Sequence, residues 1–375
     1  MTELLVFGED WGRHPSSTQH LITALKNDYT ITWINSIGLR QPTFNFKDLK
    51  RLTEKARYLL KRTPQPQSTY YLQQPDLIIH PKVWPLAQTR LLQSLNQTLL
   101  SRQIPPKKGK RVVWVSLPSA IDVLPICQAD TVIYYCGDDF SSLTGVDHHY
   151  VAQCERKLVR EADIVFSASH KLQQKFPSNK SYLLPHGVDD QLFNPTHLEP
   201  LPSQHTIGFY GSINNWLDTA LLKKLAQARP KITFELIGRH DCDTSHLNST
   251  PNIRFLNPIA HSQLPAAMKH WTMAILPFVD NDQIRSCNPL KLREYLAMGL
   301  PIISSHYPAA MEYFPHIAIA KNTQDWLHAI DAFCKLDKNQ REQHEKKSRQ
   351  LIKKETWNQR ARVIEAQISK ILSTS

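Results

Sequence analysis

From Ser286 to Pro301 the chain reads Ser-Cys-Asn-Pro-Leu-Lys-Leu-Arg-Glu-Tyr-Leu-Ala-Met-Gly-Leu-Pro. Lys291 and Glu294 are three residues apart, so on a helix they share a face. In the first turn of that helix Lys291 meets a dipole that disfavours a cation by some tenths of a kcal/mol. Its place makes sense if an anion sits on the same N-terminus, gripped by the ammonium and the backbone N–H groups together. Glu294, one turn on, would then accept hydrogen bonds from the hydroxyls of a sugar. The plainer reading is a surface ion pair at i,i+3, and spacing alone leaves both open. A second pair of carboxylates, Asp138 and Asp139, ends the apolar run Val132-Ile133-Tyr134-Tyr135-Cys136-Gly137. A carboxylate jutting from a strand end can take the proton of an attacking hydroxyl, and it can equally cap a helix or form a turn. His148, His149 and His186 are read as structural or solvent-facing.

The elements around these residues follow from the pattern. Asn288 can cap, Pro289 suits the first helical position, and Gly299 with Pro301 ends the helix. Short β-branched and apolar runs recur at Leu4–Phe7, Tyr29–Ile34, Leu77–His80, Val112–Ser116, Thr131–Tyr135, Ile164–Ser167 and Tyr182–Leu184. A second series covers Thr206–Tyr210, Thr233–Ile237, Ile253–Leu256, Met273–Phe278, Pro301–Ser304 and Ile317–Ala320. Alternation with helical stretches such as Leu217–Ala228 predicts an α/β chain with two Rossmann-like sheets in tandem. The expected organisation is a first domain over 1–193, a Pro-rich linker over 194–204, a second domain over 205–354, and a terminal segment over 355–375. In that segment Trp357, Ala361, Ile364, Ile368 and Leu372 form one helical stripe that should pack against a neighbour.

Composition narrows the chemistry. The 375 residues carry 45 Lys and Arg against 33 Asp and Glu, a formal +12. Thirteen of those basic residues lie between Leu49 and Ile121 against only Glu54 and Asp76, so this stretch holds +11 and the rest is nearly neutral. An overlapping region, 44–69, reads as a basic amphipathic helix, either a solvated surface or an element that lies on a membrane. Six scattered cysteines without a C-x-x-C pair indicate neither a zinc ribbon nor a disulfide framework, and the expectation is a reduced, cytoplasmic protein. The N-terminus lacks the basic leader of a signal peptide, and the longest apolar run is far short of the roughly 20 residues of a membrane span. With eleven glycines, no G-x-G-x-x-G, Walker A or G-x-S-x-G motif can be written.

Asn-Pro-Leu-Lys-Leu-Arg-Glu-Tyr-Leu-Ala-Met-Gly-Leu-Pro-Ile-Ile-Ser resembles the donor-site signature of glycosyltransferases of the two-Rossmann-domain (GT-B) fold. The group 1, teichuronic-acid biosynthesis and xanthan glucuronosyltransferase types are the nearest likenesses. Gly8-Glu9-Asp10-Trp11, Leu184-Pro185-His186-Gly187-Val188-Asp189 with Phe193, Ile207 to Ser212, Leu236-Ile237-Gly238 and Ile275 to Phe278 look like further landmarks of the family. The resemblance implies transfer of a sugar from a nucleotide-sugar donor, held by the second domain, to a lipid-linked or glycan acceptor at the first. Lys291 would hold the donor phosphates and Glu294 the ribose or sugar hydroxyls. Gly211 and Ser212 would take the diphosphate, Gly238 and Arg239 the edge near the base, and Asn288 and Leu290 the start of the helix. Asp138, ahead of Asp139, would be the catalytic base, and the C-terminal helix would cross back to the first domain. Trp11, Arg13 and His14 follow the first strand and would face the acceptor, with a plain core position as the alternative for Trp11. No metal and no cofactor are expected, since helix dipoles and basic side chains stabilise the leaving diphosphate in this fold. The sequence departs from the retaining enzymes of group 1: the position eight before Glu294 is Ser286 where they carry a second Glu, and Ser212, Asn214 and Asn215 stand where they carry Arg and Lys. That puts a retaining mechanism in doubt and leaves the anomeric outcome open. The basic stretch then reads as a face for an anionic membrane on the inner side of the plasma membrane. A nucleic-acid binder without catalysis, or a phosphorylase or epimerase on the same fold, are the alternatives; nucleic acid is not the expected partner, because no reader motif accompanies the charge.

Overall fold

The β-branched and aromatic runs form strands where the pattern expects them. A computed structural model describes residues 2–12, 15–37, 72–83, 89–141, 147–194 and 204–373. The chain divides into two units, Met1–Leu184 with Ala361–Ser375, and Pro185–Arg360.

In the first unit Thr2–Phe7 (β1), Tyr29–Ile34 (β2), Leu77–Ile79 (β3), Arg111–Val115 (β4), Thr131–Cys136 (β5), Ile164–Ser167 (β6) and Ser181–Leu183 (β7) form one sheet in the order β3-β2-β1-β4-β5-β6-β7. Every pairing is parallel. Helices lie on both faces, so the inner strands have no polar side to show. Every residue of β4, β5 and β6 is buried, which is why these strands read as continuous apolar runs without alternation. The chain leaves β1 and β4 in opposite directions along the sheet, and the C-terminal ends of those two strands flank the switch point where doubly wound folds bind ligands.

The second unit repeats the plan. Thr206–Tyr210 (β8), Thr233–Ile237 (β9), Ile253–Leu256 (β10), Met273–Leu276 (β11), Ile302–Ser305 (β12) and Ala318–Ala320 (β13) pair in parallel in the order β10-β9-β8-β11-β12-β13, with the switch point between β8 and β11. The helix Thr219–Ala228 is capped by Asp218, whose side chain accepts the Leu221 N–H at 2.8 Å. The terminal helix runs from Trp357 to Leu372, and Trp357, Ala361, Ile364 and Ile368 of the expected stripe are all buried.

Behind the helix Leu290–Ala297 lies a charged cluster. Arg293 is 1 % exposed. Its Nε donates to Glu355 Oε2 at 2.7 Å, its Nη1 to Asn288 Oδ1, and its guanidinium sits 5.7 Å from the Tyr313 ring. Glu355 Oε2 also accepts the Tyr313 hydroxyl at 2.8 Å and Arg360 Nη2 at 3.2 Å. Asn288 is therefore not the N-cap that the sequence suggests. Pro289 occupies that position without a side-chain cap bond, because the Asn288 amide is claimed by the buried guanidinium.

The basic helix expected over 44–69, and the linker between Asn194 and Gln204, lie outside the described residues. Within the Lys107–Arg111 cluster two charges are already paired, and one of them is buried. Arg111 is 4 % exposed and pairs with Glu3 at 2.7 Å, and Lys107 pairs with Asp130 at 2.7 Å. Lys108 and Lys110 remain exposed. No helix among the described residues is long and apolar enough to cross a membrane.

Removing one partner of a buried ion pair strands the other charge, so Glu355→Ala is expected to destabilise the second unit by about 3 kcal/mol. Urea denaturation, followed by tryptophan fluorescence and compared with the wild type, measures this directly.

Candidate functional site

At the end of β8 the chain must turn over the C-terminal edge of β9. The Gly211 N–H donates to the Ile237 carbonyl at 2.8 Å and the Ile213 N–H to the Arg239 carbonyl at 2.9 Å, so the two loops continue the parallel pairing beyond the strands. They approach so closely that a Cβ on Gly238 would overlap the Gly211 carbonyl. Gly211 has φ +132°, a backbone that L side chains avoid. A Cβ there would also overlap Cε of Lys291 and stand 2.9 Å from its Nζ. The glycine is thus the floor across which the Lys291 side chain lies, with Nζ 5.8 Å from the centre of the Phe209 ring. Gly211, Gly238, Lys291 and the half-buried Ser212 therefore meet at the switch point between β8 and β11.

The helix Leu290–Ala297 supplies Lys291 because its other side chains hold it in place. Leu292, Tyr295 and Leu296 are fully buried, and the Tyr295 hydroxyl accepts the Tyr210 N–H at 3.0 Å, fixing the helix to the end of β8. Gly299, at φ +77°, closes it: the Gly299 N–H donates to Leu296 at 2.9 Å and the Leu300 N–H to Tyr295 at 3.1 Å, the paired bonds of a Schellman ending. Leu290 is its first residue and is half-buried.

Glu294 does not sit on the surface. It is 4 % exposed and its Oε1 lies 2.6 Å from His261 Nε2. Burial, with a smaller contribution from the Asp189 charge, pushes its carboxyl up from 4.5 to about 8, and burial pushes the His261 imidazole down from 6.5 to about 4. Both groups favour their neutral forms, so near neutral pH the contact is a hydrogen bond in which Glu294 carries the proton, and an ion pair is disfavoured. His261 comes from the short turn His261–Gln263 after β10, and the Phe193 ring meets it edge-on at 5.2 Å. Arg239 is exposed, its guanidinium held by both oxygens of Asp241 at 2.8 and 2.9 Å. Ser286 is 1 % exposed, with its hydroxyl on the Asp282 carbonyl at 2.8 Å.

In the first unit Asp138 lies exposed just beyond β5. Asp139 is tied down: its Oδ1 accepts the Ser141 N–H at 3.2 Å, the Ser141 hydroxyl at 2.6 Å and Lys175 Nζ at 2.9 Å. His148 Nδ1 donates to the Phe140 carbonyl at 3.1 Å and His149 meets Gln153 at 2.7 Å. His186 is buried in the second unit, where burial, with Arg293 and Arg360 nearby, drives its imidazole down to about 3. Trp11 packs on Trp33 with ring centroids 4.7 Å apart, and its backbone N–H donates to Asn35 Oδ1 at 3.0 Å. Arg13 and His14 lie outside the described residues.

Four residues to which the sequence assigned no role join these constellations. Nothing in the spacing couples His261 to Glu294, 33 residues on, or Arg293 to Glu355, 62 residues on. Glu9, at the end of β1, is the fourth. It accepts the Ser16 hydroxyl and Gln19 Nε2, the latter at 3.1 Å, and burial raises its carboxyl above the ordinary value.

Residues 218–366 match the family model described as glycosyl transferase-like. Over 274 residues, 66 % of this chain and 68 % of the relative, the sequence is 24 % identical to TuaH of Bacillus subtilis strain 168, a protein named as a teichuronic acid biosynthesis glycosyltransferase. Among solved structures, Anabaena HepE in complex with UDP-glucose superposes with a TM-score of 0.66 at 13 % identity, covering 100 % of both chains. A glycosyltransferase from Rickettsia africae does so with a TM-score of 0.67 at 14 % identity, covering 100 % of this chain and 99 % of that one.

The Glu294–His261 contact has a signature in stability. Between 4.5 and about 8 the folded chain keeps a proton on Glu294 that the unfolded chain has released; between about 4 and 6.5 it lacks one on His261 that the unfolded chain holds. The two largely offset one another until about pH 6.5. Beyond that Glu294 acts alone, and stability is expected to fall as the pH rises to 8, by up to about 2 kcal/mol. Glu294→Gln should abolish that fall, as read by denaturation midpoints at pH 6.5 and 8.5.

Proposed function

This chain is a glycosyltransferase of the GT-B fold, and from that premise we propose that it moves a sugar from a nucleoside-diphosphate sugar to a hydroxyl of a lipid-linked or polysaccharide acceptor, with inversion at the anomeric carbon. The observation that carries the donor half is the Lys291 side chain laid across Gly211 at the switch point of the second sheet. An ammonium there, above a loop that no side chain fills, matches a diphosphate in charge and in shape. Lys291 and the adjacent backbone of Gly211 and Ser212 gather the charge that develops on the β-phosphate oxygen as its bond to the anomeric carbon breaks. In this reading they take the place of a divalent ion, and Glu294 accepts donor hydroxyls. Uridine is the first base to test, because HepE was solved with UDP-glucose.

The acceptor half rests on Asp138. A general base must present a carboxylate at the attacking hydroxyl and take its proton as the new C–O bond forms. Asp138 is exposed at a strand end, and beside it Asp139, less exposed, accepts from Ser141 and Lys175. Inversion is favoured because the place of a second donor-side carboxylate is taken by buried Ser286. A cell-surface glycan as product is supported by the teichuronic acid role in the name of TuaH. Attachment to the anionic inner face of the plasma membrane is supported by the +11 stretch and by exposed Lys108 and Lys110 within it, each worth about 1 kcal/mol near an anionic leaflet.

Incubation of the purified protein with a panel of nucleotide-sugars tests the reading. Lys291→Ala should weaken donor binding about 10- to 100-fold, the loss of one charge-assisted contact, and unchanged binding would remove the donor assignment. Asp138→Asn should lower kcat by a factor on the order of 10² to 10⁴ with donor affinity intact; Asp139→Asn serves as the comparison.

A further inference from the structure

We infer that His261 is a positioning residue of the donor site, fixing the Glu294 carboxyl in the orientation in which it receives hydroxyls of the donor; the inference rests on the donor reading above. A glutamate on a helix has three rotatable side-chain bonds, and ordering such a side chain costs up to about 2 kcal/mol. A carboxyl already held when the ligand arrives binds without that cost. His261 does the holding. Its Nε2 lies 2.6 Å from Glu294 Oε1, the two side chains are 16 % and 5 % exposed, and Phe193 braces the ring edge-on at 5.2 Å.

The groups around the pair explain why an imidazole serves here. Asp189 and Tyr295 lie close enough to Glu294 to interact with its charge. The Asp189 carboxylate accepts the N–H groups of Gln191 and Leu192 at 3.1 and 3.0 Å, so its negative charge opposes ionisation of Glu294. A cation at position 261 would pair with Glu294 permanently and compete with the donor. A neutral imidazole accepts from Glu294 while that carboxyl keeps its proton and donates to it once the proton is lost. The contact therefore persists in both states without adding a charge beside the diphosphate.

The test uses the full chain with UDP and with whichever nucleotide-sugar turns over. His261→Ala should raise the donor KM about tenfold, the equivalent of one hydrogen bond, while kcat changes less than about threefold. His261→Gln, whose amide accepts through its oxygen or donates through its nitrogen at about the reach of Nε2, should recover most of the affinity. An equal loss for UDP and the complete donor places the received hydroxyls on the ribose; a loss confined to the complete donor places them on the transferred sugar, and either supports the inference. Should His261→Ala fail to fold, His261→Asn against His261→Gln decides, because asparagine is too short to reach. Equal affinity in those two variants, or an unchanged donor KM in His261→Ala, overturns the inference. If Lys291→Ala loses donor while the His261 variants do not, only the positioning role fails; if the wild type binds no nucleotide-sugar, the donor reading itself fails.

Discussion

A guanidinium with 1 % of its surface exposed is the constraint on which the second unit depends. Arginine does not shed its proton, so burial leaves it no choice but to be surrounded by acceptors. Arg293 meets that demand with Glu355, Asn288 and the Tyr313 ring. Each of these comes from a different part of the chain: Asn288 just before the helix, Tyr313 after β12, Glu355 just before the terminal helix. The Arg360 Nε closes the circle by donating to the His186 carbonyl at 3.4 Å. A helix of only eight residues is thereby anchored on its rear side. Its other face presents Lys291 and Glu294, the two candidate site side chains, with little freedom to drift.

What the sequence revealed and what it withheld divide along physical lines. The strands were legible because sheets covered on both faces demand uninterrupted apolar residues, and Arg111–Val115 or Thr131–Cys136 can hardly be anything else. The helix of the site was legible because Pro289 and Gly299 punctuate it, and the positive φ at Gly299 agrees with that reading. Local rules failed at Asn288, where the capping preference was outbid by a guanidinium five residues on. They were silent about Glu294 and His261, because a contact between segments 33 residues apart depends on how β10 and the helix are stacked. The i,i+3 spacing that suggested a surface ion pair is real, yet Glu294 is buried, which spacing cannot report.

Charge shows the same division. The excess of positive residues between Leu49 and Ile121 is a property of the sequence, while the use of each charge is a property of the fold. Arg111 is an internal strut: besides Glu3 it donates to the Cys127 carbonyl at 3.1 Å and the Pro105 carbonyl at 2.8 Å. Lys107 is paired with Asp130. A count of basic residues therefore overstates the surface field by the number that the core consumes. In this cluster Lys108 and Lys110 are the ones left to face an anionic partner.

The two sheets share one strand order over six strands, the first adding β7 at its edge, and each unit holds a carboxyl raised by burial. Their partners differ in kind. Glu9 receives hydrogen bonds from Ser16 and Gln19, which favour its ionised form, so its surroundings oppose the shift that burial produces. Glu294 faces an imidazole that accommodates either state, and the nearby Asp189 charge reinforces the effect of burial. The same fold can thus hold one carboxyl as a fastener for the loop after β1 and another against an imidazole that suits either of its protonation states. The difference is set by the residues opposite each carboxyl, not by the sheet that carries it.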